Sequence, residues 1–220
     1  MGFDLVIFDC DGVLIDSEIL ATRAVVACLA EYGVAATDAE ILGRYTGTST
    51  ADMLLDLETR HGVGFPDFES REERRLAELF AADLRAIVGI ETLLDSLACR
   101  RCVASSGTPE RIRLGLSQVG LYDRFHPHLF SAAMVVRGKP APDLFLYAAA
   151  QMGVAPARCV VIEDSLPGIA GAVAAGMIPV GFTGGGHCPP GHAARLAASG
   201  AVRVAATIPE LHRILGGLSA

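Results

Sequence analysis

The fold is decided by the stretch Leu5-Val6-Ile7-Phe8-Asp9-Cys10-Asp11-Gly12, in which four apolar residues run directly into two carboxylates. The apolar run predicts a short buried strand of a parallel sheet, since such strands are covered on both faces. Side chains alternate along a strand, so Asp9 and Asp11 are expected on one side and Cys10 on the other, in the core. Parallel sheets bind ligands at the carboxyl ends of their strands, which makes the two carboxylates a candidate site.

The rest of the chain has the patterning of an α/β protein. After Gly89, short apolar segments alternate with helical ones, an order typical of a doubly wound, Rossmann-like parallel sheet. The predicted strands are residues 102–105, part of 129–136, 160–162, 179–182 and 202–205, and the predicted helices are residues 109–120, 144–152, 168–175 and 209–215.

Residues 16–90 are patterned differently, as a run of helices. Ser17 stands where a residue would cap the first helix, and Gly33 stands where that helix would end. We therefore predict a core domain made of residues 1–15 and 91–220, with an α-helical cap domain inserted between its two parts.

Composition and charge restrict the possible partners. The chain has 220 residues and a net charge of -7, so its surface repels nucleic acid. Hydrophobic residues make up 51% of it, which is enough for a packed core. No apolar run approaches the ~18 residues that span a bilayer, and the N-terminus lacks a basic segment followed by a long apolar one. We expect a cytoplasmic protein with neither a membrane nor a nucleic acid as partner.

Polar residues with complementary chemistry fall at several predicted strand ends. A carboxylate such as Asp9 can attack phosphorus, but an anion then has to approach an anion. A divalent cation and a lysine remove that difficulty, and Asp164 and Lys139 follow strands where they can supply both. Asp11 can protonate the leaving oxygen and later take a proton from water. Ser105 offers a hydroxyl, followed by backbone N–H groups that begin a helix and can bind an anion.

Each of these residues taken alone has a simpler explanation. An Asp-x-Asp pair is often a turn or a solvated pair, and Lys139 could be a surface lysine. Glu163 and Asp164 could merely cap the helix that opens near Ser165. Their joint placement at the strand ends of one sheet favours phosphoryl chemistry over these separate explanations.

Four segments carry a more specific pattern. They are Phe8-Asp9-Cys10-Asp11-Gly12-Val13-Leu14-Ile15-Asp16-Ser17-Glu18, Val103-Ala104-Ser105-Ser106-Gly107, Gly138-Lys139-Pro140-Ala141-Pro142-Asp143 and Val161-Ile162-Glu163-Asp164-Ser165-Leu166-Pro167-Gly168. In this order they resemble the four motifs of the haloacid dehalogenase superfamily, in its phosphatase branch. The similarity covers nearly the whole chain and includes a helical cap in the expected place.

The resemblance implies a role for each motif residue. Asp9 would be the nucleophile and Asp11 the general acid/base, and a monomer would be usual for the family. The implied phosphate-binding residues are Ser105, the backbone of Ser106, and Lys139. The implied magnesium ligands are Asp9, the backbone carbonyl of Asp11, Asp164 and Glu163.

The branch of the family can be narrowed. Asp11 argues against dehalogenation, because true haloacid dehalogenases lack this second Asp and need no metal. The pattern is most similar to the beta-phosphoglucomutase-like group, which includes sugar-phosphate, 6-phosphogluconate and phosphoglycolate phosphatases. The residues implied to select the substrate are Glu18 and the start of a cap loop, Arg44, Tyr45, Thr46 and Gly47.

Two other activities share these core residues. A phosphosugar mutase of the beta-phosphoglucomutase type usually has a His shortly after the Asp-Ser-Glu triplet and basic residues in the cap loop. Here Ile19-Leu20-Ala21 follows Glu18 and the cap loop is mostly neutral, which favours hydrolysis. A receiver-like signalling module would only accept phosphate on Asp9 and would need no cap. We therefore predict a Mg²⁺-dependent phosphatase that acts on a small phosphorylated metabolite.

Two further features have a structural and a functional interpretation. The pair Cys99 and Cys102 could be a redox or metal pair, but reduced thiols are the default in a cytosolic protein. The segment 184–190 is predicted as a loop at the surface, with the alternative that His187 approaches the substrate. The triple glycine at its start lacks the helix with Lys that would make it a phosphate cradle.

Overall fold

A computed structural model describes residues 2–45 and 50–219 of the chain. The chain divides into two compact units, one formed by Met1–Asp16 with Arg85–Ala220 and the other by Ser17–Leu84. Within the first unit, the segments on either side of the insertion pair with each other. The Asp16 N–H donates to the Arg85 carbonyl at 2.9 Å, and the Ile87 N–H donates to the Leu14 carbonyl at 3.0 Å.

The first unit is built on a six-stranded sheet with the order β3-β2-β1-β4-β5-β6. Its strands are β1 (Leu5–Phe8), β2 (Arg100–Ser105), β3 (Leu129–Ser131), β4 (Cys159–Glu163), β5 (Ile178–Phe182) and β6 (Arg203–Ala205). All neighbouring strands are parallel. The predicted doubly wound α/β fold is confirmed, and its strand order changes direction between β1 and β4.

The helices of both units follow the chain order. Those of the second unit are α1 (Glu18–Glu31), α2 (Asp38–Tyr45), α3 (Thr50–His61) and α4 (Phe68–Asp83). Those of the first unit are α5 (Ile90–Ser96), α6 (Pro109–Gln118), α7 (Asp143–Gln151), α8 (Leu166–Ala174), α9 (His192–Ala198) and α10 (Ile208–Ser219), with short 3₁₀ turns at Tyr122–Arg124, Ala132–Met134 and Pro156–Arg158. Across residues 2–45 and 50–219, no helix combines the length and apolarity that a membrane crossing requires.

Two helices, α5 and α9, were not expected from the sequence, and α2 lies within the helical run predicted at residues 16–90 without having been predicted as a separate helix. Each has only seven or eight residues, too short for a helical period to stand out. The helix α9 follows the predicted loop 184–190 after Gly191, whose φ of 82° belongs to the left-handed region. Ser17 does precede α1, but its side chain makes no capping hydrogen bond.

The second unit has a hydrophobic core of its own. The core residues are Val25, Cys28, Leu29, Val34, Ile41, Tyr45, Met53, Leu57, Phe65 and Phe68. At its surface, Glu31 of α1 accepts hydrogen bonds from Arg71 at 2.8 Å and from Arg75 at 3.0 Å, both on α4. These pairs are exposed, so apolar burial is the main source of the unit's stability.

The core of the first unit lies on both faces of the sheet. The strand β1 is buried throughout, as the apolar run at residues 5–8 predicts. On one face, Phe145 of α7 is fully buried, and its ring centroid lies 5.2 Å from the Lys139 ammonium. The same ring therefore fills the core and supports a charged side chain at the edge of the sheet.

Replacing Phe145 with Ala should lower the free energy of unfolding by about 3–5 kcal/mol, the usual cost of removing a buried aromatic ring. Urea denaturation of the two proteins measures this difference. The matched control is Val136→Ala, whose side chain is 97% exposed in the native protein. That change should stay within about 0.5 kcal/mol of the native value, and equal losses in the two variants would contradict the packing.

Candidate active site

The carboxyl ends of β1 and β4, where the strand order changes direction, bring the candidate acids together. The Asp9 N–H donates to the Ile162 carbonyl at 3.0 Å, which extends the pairing of β1 with β4 by one residue. Glu163 ends β4, and Asp164 follows it directly. Since ligands bind at such a switch point in open α/β sheets, Asp9, Glu163 and Asp164 lie where chemistry is expected.

A single lysine bridges two of these acids. The Lys139 Nζ lies 2.8 Å from Asp9 Oδ1 and 2.5 Å from Glu163 Oε1. Its side chain is only 4% exposed, and that of Glu163 is fully buried. The other oxygen of Glu163 accepts from the Ser165 N–H at 3.0 Å and from the Ser165 hydroxyl at 2.8 Å. Glu163 is therefore held in place and in turn fixes the position of Lys139.

The charges in this cluster shift one another's pKa. Burial raises the pKa of Asp9 well above its usual range, Lys139 acts against that rise, and the carboxylates of Glu163 and Asp164 add to it. Burial by itself lowers the pKa of Lys139, but Asp9 and Glu163 outweigh it, so the net shift is upward. Lys139 is therefore a permanent positive charge, and Asp9 needs more positive charge to stay ionised.

The donor set of the site fits a hard divalent cation. Carboxylate oxygens of Asp9, Glu163 and Asp164 lie within 4.8 Å of one another, and all three residues are buried. Oxygen ligands of this kind suit Mg²⁺, which binds through a few carboxylates, waters and substrate phosphate. A cation here would also supply the positive charge that Asp9 needs.

The second carboxylate of the first motif lies at the edge of this cluster. The Asp11 side chain is 15% exposed, and its Oδ1 lies 3.5 Å from Nη2 of Arg111. Ser105, at the end of β2, is buried, and its hydroxyl accepts from the Gly107 N–H at 3.0 Å. Ser106 is the exposed residue between them. Arg111 does not stand out in the sequence, since it falls two residues after the start of α6 and outside every motif.

The loop after β5 is only partly at the surface, which corrects the sequence-based expectation. Gly184, Gly186 and the two prolines are exposed, but the His187 side chain is 3% exposed. Its Nε2 lies 2.9 Å from Asp164 Oδ2. Burial lowers the pKa of His187, but its contacts with Asp164 and Cys188 outweigh burial and raise the pKa to about 11. His187 therefore turns inward, and the group that it contacts is Asp164, an acid of the fourth motif.

The predicted substrate-selecting residues belong to the helical unit. Glu18 begins α1, and Arg44 lies near the end of α2, where its Nε donates to Asp56 Oδ2 at 3.1 Å. The Tyr45 hydroxyl donates to the same oxygen at 2.5 Å and accepts from Arg60. The other two, Thr46 and Gly47, fall outside the described residues.

The cysteine pair consists of free thiols, with Cys102 buried in β2.

Comparison with known families identifies the class of protein. Residues 3–176 match the family described as haloacid dehalogenase-like hydrolases. The chain belongs to this family, and the prediction made from its four motifs is confirmed.

Relatives and solved structures agree with this assignment. The 6-phosphogluconate phosphatase of Escherichia coli (strain K12) is 31% identical over 189 residues, which cover 85% of this chain and 86% of that protein. A haloacid dehalogenase-like protein of Agrobacterium tumefaciens is 39% identical, with a TM-score of 0.89 and full coverage of both chains. A family hydrolase of Deinococcus radiodurans with bound phosphate and sodium is 35% identical, with a TM-score of 0.79 over 98% of this chain and 96% of that one. These findings support the prediction of a phosphoric monoester hydrolase.

The turn after Asp11 should not tolerate a side chain. At Gly12, with φ of 75°, an added Cβ would lie 2.0 Å from Asp164 Oδ2 and 2.7 Å from His187 Cε1. Gly12→Ala should therefore destabilise the protein, because the backbone is strained and Asp164 has to move. Thermal or urea denaturation measures the loss.

Gly33→Ala separates the two causes. Gly33 has a φ of 77°, but an added Cβ would meet nothing within 4 Å. This control should cost about 1–2 kcal/mol, the strain of a left-handed residue alone. If Gly12→Ala cost no more than Gly33→Ala, the close approach of Gly12 to Asp164 would be wrong.

Proposed function

We propose that this protein is a Mg²⁺-dependent phosphatase that hydrolyses a small phosphorylated metabolite through an aspartyl-phosphate on Asp9. The observation that carries the proposal is the buried cluster of Asp9, Lys139, Glu163 and Asp164 at the switch point of the sheet. A cluster with three buried carboxylates and one lysine suits binding of a cation together with a phosphate.

The first half-reaction forms a bond between Asp9 and phosphorus. A carboxylate oxygen of Asp9 attacks, and the bond from phosphorus to the ester oxygen of the substrate breaks. Asp11 gives its proton to that leaving oxygen, which releases the alcohol. Lys139 balances the negative charge of the phosphoryl oxygens, since it is held within hydrogen-bond distance of Asp9.

The second half-reaction returns Asp9 to its free form. Asp11, now a carboxylate, takes a proton from a water molecule that attacks the same phosphorus. The bond between phosphorus and Asp9 breaks, and inorganic phosphate is released. Ser105 and the backbone N–H of Ser106 are proposed to hold the phosphoryl oxygens, because they stand at the carboxyl end of β2, next to β1.

The proposed magnesium ligands are Asp9, Asp164, the backbone carbonyl of Asp11, and Glu163. When bound, the cation supplies positive charge to the phosphoryl group and keeps Asp9 ionised. The Deinococcus hydrolase was solved with phosphate and sodium bound, which supports a family member that binds both an anion and a cation.

The proposed substrate is a sugar phosphate or a sugar-acid phosphate, such as 6-phosphogluconate or phosphoglycolate. Support comes from the Escherichia coli relative named 6-phosphogluconate phosphatase. The helical unit, Ser17–Leu84, is proposed as a cap that selects the leaving group through Glu18, Arg44, Tyr45, Thr46 and Gly47.

The deciding experiment is release of inorganic phosphate from a panel of metabolites in the presence of Mg²⁺. The panel contains 6-phosphogluconate, phosphoglycolate, hexose 6-phosphates and beta-glucose 1-phosphate. Release concentrated on one or two compounds is expected. Conversion of beta-glucose 1-phosphate to glucose 6-phosphate without phosphate release would instead identify a phosphosugar mutase.

The matched control for the panel is Asp9→Asn, which keeps the size of the side chain and removes its nucleophilic oxygen. Turnover should be lost in this variant while it unfolds cooperatively, as the native protein does. Native rates in Asp9→Asn would rule out the aspartyl-phosphate.

Removal of divalent cations should abolish turnover, because burial and the carboxylates of Glu163, Asp164 and Asp11 raise the pKa of Asp9 and Lys139 would be left to oppose that rise. Treatment with a chelator, followed by gel filtration and assay with and without added Mg²⁺, measures this dependence. Full activity of the chelated protein would contradict the metal assignment.

A further inference from the structure

We propose that His187 is a positioning residue that holds the Asp164 carboxylate in the orientation needed to bind the metal. The proposal rests on the proposed function, because Asp164 is there a magnesium ligand. It assigns a task to the loop after β5, residues 183–191, which belongs to none of the four motifs.

The contact between the two side chains is direct and buried. Nε2 of His187 lies 2.9 Å from Oδ2 of Asp164, and the two side chains are 3% and 6% exposed. Nε2 carries a proton in the charged imidazole and in one neutral tautomer, so it can donate to the carboxylate in either case. The described contacts of Asp164 leave its other side-chain oxygen available for a cation.

Two further hydrogen bonds hold the residues on either side of this contact. The Gly186 N–H donates to Asp16 Oδ1 at 3.0 Å, which ties the loop to the end of the first motif. Nε2 of His192 lies 2.6 Å from the Asp164 carbonyl and donates to it, because a carbonyl can only accept. Asp164 is therefore held at its main chain by His192 and at its side chain by His187.

The ring of His187 also has little freedom to turn. A Cβ added at Gly12 would lie 2.7 Å from its Cε1, and one added at Gly185 would lie 2.8 Å from its Nδ1. The ring is packed against two backbone segments that can approach it only because they are glycines. A donor held this rigidly fixes the rotamer of the carboxylate that it contacts.

His187 is better placed to orient a ligand than to be one. The described groups whose donor atoms lie within 4.8 Å of one another are Asp9, Glu163 and Asp164, without His187. Residues that hydrogen-bond a metal ligand typically contribute about 10–100-fold to metal affinity, because the ligand then loses no rotational freedom on binding.

The test is direct titration of the metal-free, full-length protein with Mg²⁺ by calorimetry, with no substrate present. His187→Ala should raise the dissociation constant about 10–100-fold. His187→Gln should recover most of the affinity, since its amide can donate from a similar position. His212→Ala, on the exposed side of α10, is the matched control and should bind as the native protein does.

Thermal denaturation of the metal-free variants separates positioning from folding. The Ala and Gln variants should both unfold cooperatively. The affinity for Mg²⁺ should be lost in the Ala variant, which lacks the hydrogen-bond donor, and this loss should not correlate with a change in melting temperature. Recovery by Gln at an unchanged melting temperature is a result that a purely structural role would not produce.

Three results would overturn the proposal. Native affinity in His187→Ala would mean that Asp164 needs no support, and tighter binding would mean that His187 competes with the metal. Weak binding in both Ala and Gln variants, with equal loss of stability, would assign His187 to folding alone. If the native protein bound no Mg²⁺, both this proposal and the proposed metal-dependent function would be wrong. If the native protein and His187→Ala bound Mg²⁺ equally well, only the role of His187 would be wrong.

Discussion

The site depends on one interaction, the contact of the Lys139 ammonium with Asp9 and Glu163. Three buried carboxylates at adjoining strand ends repel one another, and burial together with this repulsion raises the pKa of Asp9. Lys139 reduces that repulsion from a position with almost no exposure to water. Its ammonium lies 5.2 Å from the centroid of the Phe145 ring, so one aromatic residue serves both the packing of the core and the charge of the site.

Other residues around this contact hold the acids of the site in position. Ser165 holds Glu163, while the loop after β5 reaches back across the sheet edge to Asp164. Gly12 and Gly168 leave room for the acids, since a Cβ at Gly168 would lie 1.9 Å from the carboxyl carbon of Glu163. The site packs buried carboxylates closely against glycines. Small displacements of these carboxylates should therefore change both the affinity of the site for ligands and its reactivity.

Much of the fold was predictable because the signals are local. An apolar run of four residues followed by carboxylates indicates a buried strand and its polar end, and the alternation of strands and helices indicates a doubly wound sheet. The short helices α5 and α9 were missed, because seven residues show too little of a helical period. The motif residues stood out because several strand ends carried them in one order.

The sequence by itself determined the family, the sheet and the candidate acids, all of which are written in short stretches of neighbouring residues. Only the tertiary structure decided that Lys139 touches Glu163 as well as Asp9, that Arg111 lies beside Asp11, and that His187 turns inward to Asp164. The two residues of these contacts are 24 positions apart for Lys139 and Glu163, 100 for Asp11 and Arg111, and 23 for Asp164 and His187. They meet because the strands and loops that carry them pack together. No local pattern encodes such distances, because they follow from how the entire chain packs.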